Sequence, residues 1–358
     1  MPQAVRTADS PKIAYVIEPR FSGGTSAAVA AELRVAAGLG QIAVHAVTSK
    51  AFGKTQHVSP VLRQVFDELR IPLIWDAPRI DADFVILHNP AFLKFQDTWH
   101  TQIFTRDLIV VTHENFLRPG GEEGFDIATC LRLIDASTLA LRKSLAPISP
   151  YNRKTVVNWV AQSRSARHWR VLGADWFNIC HAEISDPCEI PKDRRGRHSR
   201  PGYEKFPPVT DMDKCFPKHA DNNIVLGADA LIEAGLQRPH WTLLRFDAIT
   251  VGEFFDMIDF FVYFTAPTWQ ESFGRVIAEA LEAGKVVLTD PDTGRTFGDA
   301  VISCRPSDAD SIISDMVSDP QKYHAQVGQA QLALERYSAQ NFRTVMGDVL
   351  ADGRGGTG

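Results

Sequence analysis

Short apolar runs alternate with helix-favouring stretches along the first half of the chain, and this alternation limits the possible folds most. Four runs have the length and apolar content of buried strands, at residues 12–18, 41–49, 83–88 and 107–112. Three other stretches are Ala-rich or have apolar residues every three or four positions, at 26–38, 58–69 and 125–141. Strands that alternate with helices predict an α/β fold with a mostly parallel sheet covered by helices.

The pattern breaks between residues 178 and 208, where Pro, Arg, His and Gly dominate, and a second alternation then begins. Its segments lie at 241–246, 251–258, 259–264, 274–283 and 286–289, followed by helical signal over 307–317 and 320–350. The 358 residues suffice for two domains of ordinary size. We expect Rossmann-like domains at 1–180 and 181–340, and a C-terminal helix end with a flexible Gly-rich tail at 341–358.

The composition is that of a globular protein, with 44% hydrophobic and 23% charged residues. No apolar run approaches the roughly 18 residues of a membrane-spanning helix, and residues 1–11 lack the pattern of a signal peptide. The five cysteines are scattered without a Cys-x-x-Cys pair, which indicates reduced thiols and neither disulfides nor a zinc site. We therefore expect a cytoplasmic protein.

Charge is distributed unevenly between the two halves. Residues 1–180 contain 20 Lys and Arg against 16 Asp and Glu, whereas residues 181–358 contain 18 against 27. The excess in the first half is far below that of a typical nucleic-acid-binding protein, so no nucleic-acid partner is predicted. A mildly basic half would suit an anionic acceptor or a peripheral contact at the inner face of the cell membrane, although a plain solvated surface is the commoner explanation.

Residues 269–288 contain the most specific pattern in the chain, Trp-Gln-Glu-Ser-Phe-Gly-Arg-Val-Ile-Ala-Glu-Ala-Leu-Glu-Ala-Gly-Lys-Val-Val-Leu. The segment follows a strand, crosses a loop, enters a helix and ends in another strand, and ligands of such sheets bind beyond the strand ends and at helix N-termini. Gly274 lets the backbone approach a ligand. Glu271 and Glu279, about two turns apart, can reach separate parts of one elongated ligand. Alternatively, Glu271 caps the helix and Glu279 is a solvated surface residue.

This segment resembles the E-x7-E motif of the retaining glycosyltransferase family 4, including Ser272, Phe273 and Gly274 between the acids and the Ala-Leu-Glu-Ala-Gly that follows. The resemblance implies the GT-B fold, in which two Rossmann-like domains have parallel sheets facing across a cleft. It implies that Glu271 contacts hydroxyls of the donor sugar and that Glu279 binds the ribose of the nucleotide. We expect Ser272, Phe273 and Gly274 to bind the donor as well. It also implies metal-independent transfer with retention of anomeric configuration. It covers residues 196–301 well and the N-terminal domain in outline.

A diphosphate leaving group needs positive charge, because charge builds on the bridging oxygen as the glycosidic bond breaks. No metal motif is present to supply it. Residues 196–205, Gly-Arg-His-Ser-Arg-Pro-Gly-Tyr-Glu-Lys, resemble the Gly-Arg and downstream Lys with which the family holds pyrophosphate. Arg197 fits the first role. Lys205 stands at a longer spacing than the common family pattern, so Lys205 and Arg200 compete for the second, and a merely solvated basic linker is the alternative.

Three features of the first half resemble the family's N-terminal domain. Gly23 and Gly24 follow the first strand and open a helix, where a glycine turn exposes backbone amides. The family has a Gly-Gly loop here that faces the donor phosphates and the acceptor, although a simple tight turn would also need glycine. His113 ends a strand and resembles the family's histidine that touches the donor sugar. Glu114 could orient it or bind acceptor, and His88, one strand earlier, is the rival.

Residues 163–170 contain three arginines at helical spacing beside Trp169. Such a face could grip an anionic acceptor or a lipid headgroup. More often, such arginines simply contact water and neighbouring acidic side chains. Both interpretations stay open.

These patterns predict a glycosyltransferase that moves a sugar from a nucleotide-diphosphate-sugar donor to a saccharide, lipid or small-molecule hydroxyl, without a cofactor or metal. Two alternatives stay open, because a fold does not settle chemistry. One is a nucleotide-sugar-binding protein that lacks transfer activity. The other is a different enzyme on the same architecture, such as an epimerase, or a phosphorylase, for whose pyridoxal phosphate no clear lysine is found. The sugar, the base and the acceptor cannot be read from the residues.

Overall fold

The computed structural model describes residues 10–21, 23–53, 55–180 and 184–354, of which residues 353 and 354 are described by their backbone alone. Contacts divide the chain into two compact units. The first extends to Ile179 and resumes at Ala339, and the second runs from Cys180 to Ser338.

The first unit contains a seven-stranded parallel sheet. Its strands are β1 (Lys12–Ile17), β2 (Gln41–Ala46), β3 (Leu73–Trp75), β4 (Arg79–His88), β5 (Gln102–Thr112), β6 (Thr138–Pro147) and β7 (Arg170–Val171). Its helices are α1 (Gly24–Ala36), α2 (Pro60–Leu69), α3 (Ile127–Ser137), α4 (Pro150–Gln162) and, from the end of the chain, α12 (Ala339–Arg354). The strand order is β3-β2-β1-β4-β5-β6-β7. The order reverses between β1 and β4, and ligands of open parallel sheets bind beyond the carboxyl ends at such a point.

The second unit repeats this plan with six parallel strands. They are β8 (Arg194–His198), β9 (Asn222–Leu226), β10 (Thr242–Leu244), β11 (Phe260–Tyr263), β12 (Val286–Thr289) and β13 (Ile302–Ser303). The helices are α5 (Val209–Cys215), α6 (Asp229–Glu233), α7 (Val251–Asp256), α8 (Arg275–Glu282), α9 (Pro291–Gly294), α10 (Ala309–Ser318) and α11 (Pro320–Leu334). The order β10-β9-β8-β11-β12-β13 reverses between β8 and β11. Both sheets confirm the predicted α/β class, and each has its own apolar core.

Strand β8 lies inside the stretch that we predicted to be irregular, which corrects that prediction. Its sequence, Arg-Arg-Gly-Arg-His, has no apolar side chain, so hydrophobic periodicity cannot reveal it. Arg195 is fully buried, but its Nε and Nη2 donate to carboxylate oxygens of Asp193 and Asp310, both at 2.6 Å. Buried charges are tolerated when they are paired in this way.

Two predicted helices also differ from the structure. The predicted helix over 125–141 ends at Ser137, and the chain continues directly as β6, in which Leu141 is 82% exposed. Leu and Ala favour helix locally, but pairing with β5 decides the conformation. The predicted helix over 320–350 is two helices, because α11 ends at Leu334 and α12 begins at Ala339. Of the predicted tail, 351–354 are helical, and 355–358 lie outside the described residues.

Candidate functional site

Glu271, the first acid of the predicted motif, lies in a polar cluster at the carboxyl ends of β8 and β11. Lys205 Nζ, from the loop after β8, donates to Glu271 Oε1 at 2.7 Å. The hydroxyl of Tyr263, the last residue of β11, donates to the same oxygen. Because β8 and β11 are the strands between which the order reverses, this cluster occupies the usual ligand position of a parallel sheet.

The cluster is partly shielded from water. Lys205 is only 6% exposed, and its Nζ lies 3.6 Å from the centroid of the Trp269 ring. Burial lowers the pKa of Lys205, while the negative charge of Glu271 acts in the opposite direction. Burial raises the pKa of Tyr263 well above its usual value, and Glu271 adds to this, so the hydroxyl remains a proton donor. A cation, a carboxylate and a hydroxyl are thus held together where charge interactions are strong.

Arg197 lies beneath this cluster and not at its surface. Its relative exposure is 0%, its Nη1 donates to the carbonyl oxygen of Phe264 at 2.8 Å, and its Nη2 donates to the carbonyl oxygen of Lys205. Its guanidinium also lies 4.3 Å from the Phe206 ring centroid, and burial lowers its pKa to about 10. In this structure Arg197 has no exposed atom for the diphosphate contact predicted from the sequence, and it instead holds the Lys205 backbone.

Arg200, the competitor of Lys205, faces solvent. Its side chain is 65% exposed, and Nη2 lies 3.6 Å from Glu204 Oε1. The structure therefore brings Lys205, and not Arg200, to Glu271.

Glu279 lies on α8 with two positive or polar neighbours. Arg275 Nε donates to Glu279 Oε1 at 3.0 Å, and His198 Nε2 lies 3.5 Å from Glu279 Oε2. Burial would raise the pKa of Glu279, but His198 and Arg275 outweigh it, and the pKa is lowered overall. The carboxylate is therefore a hydrogen-bond acceptor at the end of β8.

The residues between the two acids have different environments. Gly274 has φ +91° and forms the N-cap of α8, a left-handed conformation that glycine adopts without strain. Phe273, predicted to bind donor, is 4% exposed and packs against the rings of Phe297 and Tyr337 at 5.6 and 5.3 Å. Its role in the structure is therefore to anchor the loop. Ser272 is half-buried beside it.

A tight backbone contact holds the loop after β8 near β9. Gly227, directly after β9, has φ +79°, and a Cβ at this residue would overlap the carbonyl oxygen of Ser199. Strain from the left-handed conformation and this clash should together make Gly227→Ala destabilising by roughly 3 kcal/mol.

Gly235→Ala is the matched control, because Gly235 has φ +66° but no neighbouring atom, in the part of the chain that the structure describes, within 4 Å of the place that a Cβ would take. Conformational strain alone should cost roughly 1–2 kcal/mol there. Urea unfolding of both variants measures the difference. Equal losses would show that the Ser199 carbonyl can move away freely.

The Gly23–Gly24 turn of the first unit follows β1. Gly23 is the N-cap of α1 with φ +77°, and no atom of the described residues lies within 4 Å of the place that a Cβ would take on either glycine. The turn is therefore open on that side, at the carboxyl end of one of the two strands between which the order reverses.

His88 and His113, which the sequence presented as rivals, are hydrogen-bonded to each other. His88 Nδ1, at the end of β4, lies 2.9 Å from His113 Nε2, which follows β5. His88 is buried and His113 half-buried. Glu114, the other candidate here, accepts from Lys94 Nζ at 2.8 Å and from Asn89 Nδ2 at 3.4 Å, and no hydrogen bond or ion pair between its side chain and that of His113 is found among the described residues.

The environment of His113 predicts a pH-dependent stability. Burial lowers the pKa of His113 well below its usual value, and His88 adds to this. In the unfolded chain a histidine titrates near pH 6.5, so stability is complete above about pH 6.5 and is lost as the pH falls towards the folded pKa. Between about pH 7.5 and about pH 5.5, His113→Asn should lose less stability than the wild type, by up to about 1.4 kcal/mol, the limit set by titration of the unfolded histidine.

Urea unfolding of both proteins at the two pH values checks this expectation. His45, whose pKa burial also lowers, is present in both proteins and cancels in the difference. Parallel pH dependences would show that His113 titrates normally in the folded state.

Residues 163–170 do not form the helical face that their spacing predicted. Helix α4 ends at Gln162, and Arg164–Ala166 form a short 3-10 turn before β7. Trp169 is buried, and its Nε1 donates to Asp135 at 3.3 Å. The tryptophan thus fixes this loop to α3, and binding of an acceptor by the arginines stays a prediction.

The described residues contain one group with the spacing of metal ligands, Asp193, His219 and Asp310. Arg195 already donates to both carboxylates, so a cation occupies the position between them. No helix within the described part of the chain is long and apolar enough to cross a membrane.

Three members of these polar clusters are not among the residues predicted from the sequence: Tyr263, His198 and Glu32. Tyr263 and His198 are the last residues of β11 and β8, so position after a strand was the usable signal. Glu32 sits within a helix whose neighbours are mostly apolar, and only its burial beside His88 distinguishes it.

No protein-family model matches the sequence, and no curated protein matches it. Solved structures do match in fold. A glycosyltransferase from Rickettsia africae has a TM-score of 0.60 at 13% identity over 98% of this chain and 100% of its own. The pneumococcal O-GlcNAc transferase GtfA, in complex with UDP and GlcNAc, has a TM-score of 0.62 at 9% identity over 97% of this chain and 100% of its own.

An alpha-glucosyltransferase in complex with UDP and DNA containing an HMU base has a TM-score of 0.57 at 12% identity, over 94% of this chain and 98% of its own. The absence of a nucleic-acid partner, expected from charge, therefore stays a prediction. At these identities the likeness concerns the fold. The protein has the GT-B fold, with its two parallel sheets of seven and six strands.

Proposed function

We propose that the protein is a glycosyltransferase that moves a sugar from a nucleotide-diphosphate-sugar donor to a hydroxyl of a saccharide, lipid or small molecule. The observation that carries this proposal is the partly buried Lys205–Glu271 pair, joined by Tyr263, beyond the ends of β8 and β11. An ammonium group can bind phosphate oxygens, and a carboxylate beside it can accept from sugar hydroxyls. The resemblance of residues 269–288 to family 4 and the likeness to GT-B structures solved with UDP support the same chemistry.

The proposed step breaks the bond between the anomeric carbon and the bridging phosphate oxygen through an oxocarbenium-like state. Lys205 stabilises the charge that develops on the departing nucleoside diphosphate. The acceptor hydroxyl attacks from the same face and gives its proton to the leaving phosphate, which retains the anomeric configuration. Lys205 supplies the positive charge that a metal would otherwise bring, so we propose metal-independent transfer.

The other residues of the second unit have supporting roles in this proposal. Glu271 accepts from donor-sugar hydroxyls, and Glu279 accepts from the ribose. The backbone amides at Gly274, at the start of α8, face phosphate. Arg197 acts through Lys205, whose carbonyl oxygen it holds.

In the first unit, we propose that His113 accepts a hydrogen bond from a sugar hydroxyl and that the amides at Gly23 and Gly24 face anionic groups of the substrate. The half-buried His113 ring and the open side of the Gly23–Gly24 turn support these roles. Peripheral contact with a membrane remains a prediction from charge.

A thermal-shift panel of UDP, GDP, ADP and dTDP with their sugars tests the proposal. A ligand at about 100 times its Kd should add about 2.7 kcal/mol of stability. The donor found in this way is then incubated with hydroxyl acceptors, and NMR of the product defines its anomeric centre. Rearrangement of the donor without acceptor would indicate an epimerase, and binding without any transfer would indicate a binding protein.

Two further outcomes bear on the mechanism. Transfer should continue in EDTA, and its loss would show that a metal is required. A product with an inverted anomeric centre would exclude the same-face step.

A further inference from the structure

Buried polar side chains behind His113 connect helix α1 with the ends of β4 and β5. Glu32, on α1, is 3% exposed. Its Oε1 accepts from the Tyr15 hydroxyl at 2.9 Å, and its Oε2 accepts from Trp176 Nε1 at 2.8 Å. His88 Nε2 lies 3.5 Å from Glu32 Oε1, and His88 Nδ1 lies 2.9 Å from His113 Nε2. The order of contacts is therefore Glu32, His88, His113.

The position of each proton follows from this order. A carboxylate only accepts hydrogen bonds, so a bare His88 Nε2 would place its lone pair against Glu32 Oε1. His88 Nε2 is buried and makes no hydrogen bond with a described residue, so its contact with Glu32 Oε1 at 3.5 Å is electrostatic. A proton on His88 Nε2 removes the repulsion and, in a neutral ring, leaves His88 Nδ1 as an acceptor. His113 Nε2 must then carry a proton and donate it to His88.

We propose that Glu32 and His88 are positioning residues that lock His113 as the Nε2–H tautomer, so that His113 Nδ1 keeps its lone pair. Tyr15 and Trp176 hold the Glu32 carboxylate in place by donating to both of its oxygens. The ring of His88 stacks on that of Tyr15 at 5.8 Å, which fixes the plane of the imidazole. The second nitrogen of a histidine commonly sets the state of the first in this manner.

The consequence for substrate rests on the proposed function. A His113 Nδ1 with a lone pair accepts from a sugar hydroxyl, whereas the opposite tautomer presents an N–H and can only donate to that hydroxyl. The contacts from Glu32 through His88 thus determine whether His113 Nδ1 accepts a hydrogen bond from the hydroxyl or donates one to it. The tautomer itself does not depend on transfer activity, so it can be measured in the protein without substrate.

Glu32→Gln is the sharpest test, because Trp176 Nε1 can only donate. The amide oxygen of the substituted side chain must therefore face Trp176, and its NH₂ group takes the place of Oε1. Tyr15 can adapt, since a hydroxyl also accepts. The NH₂ group donates to His88 Nε2, which must lose its proton. His88 then carries its proton on Nδ1 and donates to His113 Nε2, so the proton of His113 moves to Nδ1.

Long-range ¹⁵N–¹H spectra of ¹⁵N-histidine-labelled protein at neutral pH measure the tautomers directly, with assignment from His88→Asn and His113→Asn. The wild type should show both histidines as Nε2–H. Glu32→Gln should show both as Nδ1–H. A wild-type His113 with its proton on Nδ1, or a His113 that does not change in Glu32→Gln, would overturn the proposal.

Matched controls separate this effect from general disturbance. Glu68→Gln changes an exposed glutamate on α2, whose partner Arg34 lies at 2.7 Å, and should leave His113 unchanged. His240, in the second unit beside the carbonyl oxygen of Phe216, should keep its signals in every variant. If Glu32→Gln does not fold, His88→Leu removes the acceptor for His113 Nε2–H and should give a mixture of tautomers, whereas a pure Nε2–H form would overturn the proposal.

Transfer assays give a second and separate result. With a donor and acceptor established, Glu32→Gln should lower kcat/KM by about tenfold, the value of one hydrogen bond, and Glu68→Gln should not. Absence of transfer in the wild type would contradict the proposed function and leave the tautomer result intact. A reversed tautomer with unchanged kcat/KM would overturn the role of Glu32 and His88 in transfer.

Discussion

Glu271→Gln is expected to lower kcat by about 10²–10³-fold, the loss that follows removal of one preorganised polar group from an active site. The substitution keeps the shape of the side chain but removes the charge that Lys205 Nζ contacts at 2.7 Å. The negative charge of Glu271 also raises the pKa of Lys205 against the effect of burial. In the variant the pKa of Lys205 falls further, because the carboxylate that opposes the effect of burial is gone. A neutral amide oxygen also replaces the charged oxygen that accepts from sugar hydroxyls, and it is a weaker acceptor.

Steady-state kinetics and calorimetric binding of the nucleoside diphosphate measure the two effects separately. Binding should weaken less than kcat falls, because Glu279 and the start of α8 remain. Glu233→Gln is the control, since its carboxylate is 68% exposed and lies 3.9 Å from Arg245. Unchanged kcat in Glu271→Gln would remove Glu271 from the mechanism.

Lys205→Ala should weaken binding of the nucleoside diphosphate and lower kcat/KM, each by at least about 30-fold. Loss of one member of a hydrogen-bonded charge pair in a buried site typically costs about 2–5 kcal/mol, and 2 kcal/mol corresponds to about 30-fold. Lys205 meets this description because it is 6% exposed and also lies over the Trp269 ring.

Arg200→Ala is the control from the same loop and also settles which cation serves the diphosphate. The Arg200 side chain is 65% exposed and only 3.6 Å from Glu204, and exposed pairs of this kind contribute about 0–1 kcal/mol. Its kcat/KM should therefore change less than about fivefold. A larger loss in Arg200→Ala than in Lys205→Ala would reverse the assignment.

In both comparisons, of Glu271 with Glu233 and of Lys205 with Arg200, the expected loss of activity follows the burial of the side chain and not its charge. Lys205 and Arg200 carry the same charge in one loop, but only Lys205 is withdrawn from water and faces a carboxylate. Charge interactions are strong where solvent cannot screen them, and weak at the surface.

Periodicity located most strands and helices, because repeats of two and about 3.6 residues are local properties. It failed where distant partners decide the conformation. β8 is a strand because Arg195 finds Asp193 and Asp310, and β6 is a strand because it pairs with β5. Asp193 is close to Arg195 in the chain, but Asp310 is 115 residues away and β5 is separated from β6 by α3, so these two partners lie outside the window of residues that a pattern uses.

By itself, the sequence determined the α/β class, the two parallel-sheet units and the motif that begins at Glu271, since each depends on neighbouring residues. Tertiary structure alone decided which side chains meet. It placed Lys205 and not Arg200 against Glu271, buried Arg197 under both, and joined His88 to His113 with Glu32 behind them. The physical reason is that charge, hydrogen bonding and burial act between side chains close in space, and a parallel sheet brings together strand ends that are far apart in the chain.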